Sequence, residues 1–268
     1  MIVLYILLGI LALLALLYLL LFVRPKGKQP ADKRVLADYA HRGLHGNGVP
    51  ENSLQAFEKA VQAGYGIELD VQLSSDGEVM VFHDYNLVRM TGKDAKLASL
   101  TGEELRALSL GGTEQTIPTF LQVLELVDGR VPLLVELKGE SLNADLCPKV
   151  AALLKDYKGP YCVESFNPLL VKSIKKHLPG VYCGQLYTNV CRDKKKYSPL
   201  NLILSAMAFN FLAGPNFIAY NCKDRKSLAV RLACGLYRAP RFVWTVKTRE
   251  ELDLAHKLGE YPIFEQNE

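Results

Sequence analysis

At 268 residues, with 32 basic against 28 acidic side chains and a net charge of +4, the chain is long enough for one large domain with a sizeable core. It carries no basic helix, aromatic platform or Gly-rich phosphate loop, so no nucleic-acid partner is expected. The six cysteines form no C-x-x-C pair and no tight framework, and several sit inside apolar runs, which argues for buried free thiols in a reducing compartment rather than a zinc site.

The chain opens on an apolar run without a charge from residue 2 to residue 23. At about 1.5 Å per residue a helix there reaches roughly 33 Å, enough to cross a bilayer's hydrocarbon core. No Lys or Arg precedes the run and no A-x-A-like site follows it, so an uncleaved anchor is expected rather than a secretory signal. Arg24, Lys26, Lys28, Lys33 and Arg34 follow directly. The positive-inside rule then puts residues 24–268 in the cytoplasm as the body of a single-pass membrane protein, with membrane lipid as a neighbour. Residues 24–34 are polar, contain Gly and Pro, and read as a basic linker.

From residue 35 strand-like and helix-like segments alternate. Strands are predicted at 35–40, 66–73, 78–83, 132–137, 161–165, 181–187, 217–221, 242–246 and 261–265. Many are near-continuous apolar runs, as strands buried on both faces should be. Amphipathic helices are predicted at 52–63, 119–127, 144–157, 169–177, 227–237 and 248–258, closed by Gly or Pro-Gly stop signals. The segment between the second and third strands, Ser74-Ser75-Asp76-Gly77, is too short for a parallel crossover, so these strands should form a hairpin. Eight parallel strands remain, the number that closes a TIM (β/α)8 barrel over residues 35–268, with a small insertion at about 85–117. The chain ends three residues after the last predicted strand, so an eighth outer helix is not expected. Residues 199–213 are apolar almost all round and fit either a buried barrel helix or one resting against lipid, while Arg192 to Lys196 (RDKKK) reads as a solvated loop.

In such a barrel the strand C-terminal ends share one face, where active sites are built. His41, Glu68 with Asp70, Glu136 with Lys138, and Glu164 fall at or near those ends. Glu68 and Asp70 are two apart and point to the same side of a strand, as do Glu136 and Lys138. Three carboxylates crowded into a barrel mouth repel one another without a cation, and their oxygens suit one hard divalent ion, Mg²⁺ or Ca²⁺. Taken singly, a Glu-x-Asp, a His-Asp or a Glu-x-Lys is ordinarily a solvated edge, a turn or a surface ion pair. Their joint occurrence at successive strand ends favours chemistry.

The ordered set HRG (41–43), EN (51–52), ELD (68–70), HD (83–84) and ELK (136–138), with ESF at 164–166 and WTV at 244–246, resembles the glycerophosphodiester phosphodiesterase family from about residue 36 to the C-terminus. The resemblance implies a TIM barrel in which Glu68, Asp70 and Glu136 hold the metal, with Glu51 a further candidate. It implies that His41 and His83 are the acid–base pair and that Arg42 and Lys138 contact the phosphoryl oxygens. Glu164, Phe166 and Trp244 are candidates for the substrate pocket, with core packing the alternative for Trp244. Attack by a substrate hydroxyl and attack by water both remain open, as does which histidine is acid and which base. Lys247 stands where the family often has Asn, and the last strand ends IFEQ rather than in the family's Gly-rich segment. The expected substrate is a glycerophosphodiester, split to sn-glycerol 3-phosphate and an alcohol. A lysophospholipase D acting on lysophospholipids at the bilayer surface is the close alternative, and a catalytically silent membrane-tethered binding domain the distant one.

Overall fold

Ser74 to Gly77 do close a hairpin in the structure, a computed structural model that describes residues 1–27, 29–139 and 145–265. Strand β2 (Gly66–Leu73) turns back antiparallel onto β3 (Val79–Val81), with Val71 opposite Val81. The other strands are β1 (Tyr39–Ala40), β4 (Leu133–Leu137), β5 (Tyr161–Ser165), β6 (Cys183–Tyr187), β7 (Phe217–Asn221), β8 (Arg241–Val246) and β9 (Tyr261–Phe264). All of them pair in parallel, and β1 joins both β2 and β9, which closes the ring. Apart from the β3 excursion this is the eight-stranded parallel barrel that the strand count predicts.

Side-chain alternation sorts the two faces of the ring. Ile67, Leu69 and Val71 of β2 pack outward with Phe57 and Ala60 of the helix Leu54–Ala63 and with Val123 and Val127 of the helix Phe120–Val127. Glu68, Asp70 and Gln72 must therefore point inward. One half of the interior is filled by carbon: Tyr39, Leu134, Cys162, Phe217, Phe242 and Ile263 cluster there, and the Phe217 and Phe242 rings lie 4.3 Å apart. Gly184 makes room for this plug, because a Cβ on it would stand 2.0 Å from the Phe217 ring.

Local chemistry explains the helices outside. Ser53 caps Leu54–Ala63 by accepting from the Ala56 amide, and Gly64, in the left-handed region, stops it. Thr119 and Gln122 form a reciprocal capping box on Phe120–Val127. Leu146–Asp156, Pro168–His177 and Arg249–Lys257 complete the regular outer helices. The expected start of the first of these at 144, linker residue Lys28 and residues 266–268 lie outside the described residues. The insertion has its own small core, in which Leu87, Leu97, Leu105, Leu110 and Ile117 pack under Met80 and Phe82. Five of the six cysteines are buried and all six are free.

Several boundaries differ from expectation for identifiable reasons. The predicted strand 35–40 shrinks to Tyr39–Ala40, because Asp32 caps a 3-10 turn at Lys33–Val35 and binds the Arg34 guanidinium 2.6 Å away. The helix predicted at 227–237 holds as α only over Leu228–Val230 and continues as a π-helical turn, Arg231–Leu236. The apolar segment 199–213 is not one helix and is only partly buried, through Asn201, Met207, Asn210 and Ala213. It breaks into Pro199–Ser205 and Asn210–Ala213 around a left-handed Met207, and Leu200, Leu202, Ile203 and Phe211 are exposed. The RDKKK stretch is helical at Val190–Lys194, with Arg192 paired to Asp193 and Asp224.

Ile2–Phe22 is a helix long and apolar enough to cross a membrane, and none of Ile2–Leu17 is buried. Its last turn is fastened to the barrel. The Tyr18 hydroxyl donates to the Ala206 carbonyl at 2.9 Å, Asn210 Nδ2 to the Val23 carbonyl at 2.8 Å, and Tyr237 to the Leu19 carbonyl. Phe22 meets Phe211 edge-on, and Val23 is fully buried. Residues 24–27 are not a free tether, since the Lys26 and Gly27 amides both donate to the Pro215 carbonyl.

Gly184→Ala should lower stability by about 1–3 kcal/mol through overpacking against Phe217. Thermal unfolding of the full chain checks this, and an unchanged midpoint would mean that the interior plug yields freely.

Candidate active site

The turn after β1 is built for close approach. Arg42 adopts a left-handed φ of 57°, and Gly43 follows at 81° with the Ala56 backbone 2.9 Å from where a Cβ would be. This brings the Arg42 amide within 2.9 Å of Glu68 Oε2 and its guanidinium within 2.8 Å of Glu51 Oε1 and 3.6 Å of Asp70 Oδ2. Asn52, also left-handed and buried, donates to Asp70 Oδ2 at 2.8 Å.

Strand register aligns the acids. Asp70 of β2 sits opposite Glu136 of β4, and Glu136 opposite Glu164 of β5, so three carboxylates form one row across three strands with Glu68 beside them. All four are buried. Lys138, just past β4, places its ammonium 3.0 Å from both Asp70 and Glu136.

Burial and like charge raise three of these acids. Burial, then Asp70 and Glu136, hold the Glu68 carboxyl well above the usual range. Burial also pushes Glu136 up to about 7, with Asp70 adding to the rise and Lys138 opposing it. Burial and the neighbouring Glu68 and Glu136 raise Glu164 strongly. Asp70 goes the other way: burial would raise it, but Lys138, His83, Arg42 and the Asn52 hydrogen bond together hold it far below the carboxylate range.

The two histidines are held alike. His41 Nδ1 lies 2.8 Å from Glu265 Oε1, and Lys247 Nζ lies 2.7 Å from the other oxygen of Glu265. His83 Nδ1 lies 2.6 Å from Asp84 Oδ1, and Arg89 binds Asp84 at 2.5 Å and Glu51 at 2.6 Å. Each ring thus keeps Nε2 for the site, and His41 Nε2 stands 4.0 Å from Glu68. Gln72 fixes the His83 loop through its side-chain amide, which donates to the carbonyls of Phe82, His83 and Asp84. The His41 bond is the largest influence holding the Glu265 carboxyl down to about 2, against burial and with help from Lys247. Burial lowers His83, with Lys138 and Arg42 adding and Asp70 and Asp84 opposing.

His41, Arg42, Glu68, His83, Glu136, Lys138, Glu164, Phe166 and Trp244 line one cavity of about 100 Å³. Asp70 lies in the row behind them, and Trp244 meets Phe166 edge-on while donating to the Ala219 carbonyl at 3.1 Å. Glu51 is placed apart, between Arg42 and Arg89. Gln72, Glu265 and Lys247 have no role expected from the sequence alone. Lys247 and the acid of IFEQ, both departures from the family pattern, turn out to face one another.

The acids fit a hard divalent cation. Glu68, Asp70 and Glu136 can each offer an oxygen within 4.8 Å of the other two, and beside them Glu164 Oε2 is buried with no hydrogen-bond partner among the described residues.

A model of the glycerophosphoryl diester phosphodiesterase family matches residues 41–265, a span that contains every one of these groups. The chain belongs to that family. Among curated relatives, a glycerophosphodiester phosphodiesterase of Caldanaerobacter subterraneus is 31% identical over 231 residues, covering 82% of this chain and 89% of the relative. A rat protein named lysophospholipase D GDPD1 is 33% identical over 132 residues, 44% of this chain and 41% of that one. Among solved structures, the Thermotoga maritima glycerophosphodiester phosphodiesterase superposes with a TM-score of 0.66 at 26% identity, covering 85% of this chain and 94% of it. An Oleispira antarctica phosphodiesterase in complex with the product sn-glycerol-3-phosphate shares the fold with a TM-score of 0.72 at 24% identity, over 88% and 95% of the two chains.

If Glu68 and Glu136 hold a cation, both raised carboxyls must lose protons to do so, and Mg²⁺ or Ca²⁺ affinity should rise by at least about tenfold per pH unit as the pH climbs toward about 7. Calorimetry in buffers of different ionisation enthalpy checks this, and proton-neutral, pH-independent binding would refute it. Glu265→Gln should cut turnover by roughly ten- to a hundredfold with little change in KM, by freeing the His41 ring. Steady-state kinetics decides, and a pure KM effect would count against an orienting part for Glu265.

Proposed function

We propose that this chain is a metal-dependent glycerophosphodiester phosphodiesterase of phospholipid metabolism, held at the membrane by residues 2–23. It would hydrolyse a glycerophosphodiester to sn-glycerol 3-phosphate and an alcohol. Family membership supports the reaction class, and one observation carries the reading. Two histidines, each with Nδ1 engaged by a carboxylate that is itself bound to a cation, share a cavity with a buried three-carboxylate cluster.

In this reading Glu68, Asp70 and Glu136 hold one divalent ion, Mg²⁺ or Ca²⁺, which supplies Lewis-acid stabilisation of charge on a phosphoryl oxygen. Arg42 and Lys138 neutralise the remaining phosphoryl charge and orient the diester. Both are already fixed by the acids, Arg42 through Glu51 and Lys138 through Asp70 and Glu136, so little reorganisation is needed as charge develops. Of His41 and His83, one takes the proton of the attacking hydroxyl at its Nε2 and the other gives a proton to the departing alkoxide. Phe166 and Trp244 offer carbon surface to the glycerol backbone, and Glu164 backs the metal row.

Residues 24–34 lead from the anchor to the catalytic body, 35–268. The basic flank Arg24, Lys26, Lys28, Lys33 and Arg34 favours a cytoplasmic barrel in a single-pass arrangement.

The full chain should release sn-glycerol 3-phosphate from glycerophosphoethanolamine, lose that activity on chelation and regain it with Mg²⁺ or Ca²⁺. His41→Ala and His83→Ala should each cost about a hundred- to ten-thousandfold in kcat, and Glu68→Ala should abolish metal rescue. Turnover that survives chelation would remove the metal from the reading, and a wild-type chain inert toward glycerophosphodiesters would remove the reaction.

A further inference from the structure

A second cavity, of about 310 Å³, lies beside the catalytic one. Its walls are mainly carbon, with Pro168, Val190, Leu204, Met207 and Phe209 among them. Phe166 and Leu186 line both cavities and form a common wall between them. The phosphodiester chemistry described above makes no use of this space.

Its far wall belongs to the segment that holds the N-terminal helix. Leu204, Met207, Phe209 and Asn210 line the cavity, while Ala206, Asn210 and Phe211 fasten Tyr18, Val23 and Phe22. The helix Ile2–Phe22 is 21 residues long. At about 1.5 Å per residue that is roughly 31 Å, close to the thickness of a bilayer's hydrocarbon core. If it spans, Phe22 stands at the edge of the hydrocarbon, and the segment touching it stands there too. The same segment turns Leu200, Leu202, Ile203 and Phe211 outward, with Leu200 57% and Phe211 47% exposed. One short stretch of chain therefore carries the helix fastening, an apolar outer face level with the lipid, and the wall of an apolar cavity that abuts the phosphodiester site.

We propose that this cavity receives the hydrocarbon chain of a single-chain glycerophospholipid drawn from the bilayer past residues 199–213, while its phosphodiester occupies the catalytic cavity. The inference rests on the phosphodiesterase reading and narrows its substrate class to monoacyl or monoalkyl lipids. The reaction is hydrolysis. The oxygen of water bonds to phosphorus, the bond from phosphorus to the headgroup oxygen breaks, and a proton passes to the departing alkoxide. The lipid product is a monoacylglycerol phosphate.

The test uses the full chain in nanodiscs and lysophosphatidylethanolamines with chains of six to twelve carbons, against glycerophosphoethanolamine. Each methylene that enters the cavity is worth about fourfold in binding, so kcat/KM should climb by about that factor per carbon and then level off. Leu204→Trp fills the cavity, and Val190→Trp fills it from another wall should the first variant fold poorly. Either should flatten the chain-length dependence while leaving glycerophosphoethanolamine turnover within about twofold, which separates the cavity from simple partitioning of lipid into the disc. Displacement of a fluorescent fatty acid by the same lysolipids provides a readout that needs no catalysis. Glycerophosphoethanolamine turnover with no chain-length gain, or a gain that both variants retain, would overturn the cavity assignment and leave the phosphodiesterase intact. Displacement in the wild type, lost in both variants, with no turnover of any diester would instead retain the cavity and overturn the phosphodiesterase reading.

Discussion

Four carboxylates buried within a few ångströms of one another are the constraint around which this molecule is organised. Each would cost several kcal/mol to bury unpaired, and their mutual repulsion adds to that. The strand register makes the crowding unavoidable, because Asp70, Glu136 and Glu164 are cross-strand partners in a ring that cannot slip without turning its apolar face inward. The surrounding chemistry answers it. Lys138 bridges two of the acids, Arg42 offers both backbone and side chain, and Asn52 accepts a left-handed conformation to reach Asp70. The strained turn at Arg42 and Gly43 is thus the local expression of a charge problem set by the sheet.

The histidines show one solution reached twice with different parts. His83 takes its carboxylate from the next residue and its cation from the insertion, so the excursion that carries it is clamped by Arg89 outside and Gln72 inside. His41 takes its carboxylate from the end of β9 and its cation from just past β8. Closing the barrel is therefore part of assembling the site, since β1 and β9 must meet before His41 acquires its partner. The Glu51 carboxylate ties the two halves together by binding Arg42 on one side and Arg89 on the other.

Much of this was legible in the residues. The four-residue gap after Leu73 dictated the hairpin, and the remaining run of apolar strands dictated the ring. Strand ends carrying acids located the site because inward-facing positions follow from alternation alone. What escaped the reading depends on contacts distant in sequence. Nothing in Gln72 announces that it will hold a loop ten residues away, and Lys247 and Glu265 register as departures from a pattern until the sheet brings them together. The segment 199–213 misled for a different reason. Its composition reads as one helix, whereas Met207 breaks it, and its exposed apolar side chains obey no rule of a water-facing surface.

The fastening of the apolar helix has a mechanical consequence. Hydrogen bonds from Tyr18, Tyr237 and Asn210, with the burial of Val23, leave no swivel between helix and barrel. A protein tethered by a loose leash samples a hemisphere of heights and tilts above its membrane. A barrel riveted to a spanning helix keeps one height and one tilt, and retains only sliding in the plane and spinning about the normal. On the proposal that the helix spans a bilayer and the substrate lies in it, the working concentration of substrate is counted per area of lipid rather than per volume of water, and the rim of the barrel becomes a ruler for how far a headgroup must rise to be reached.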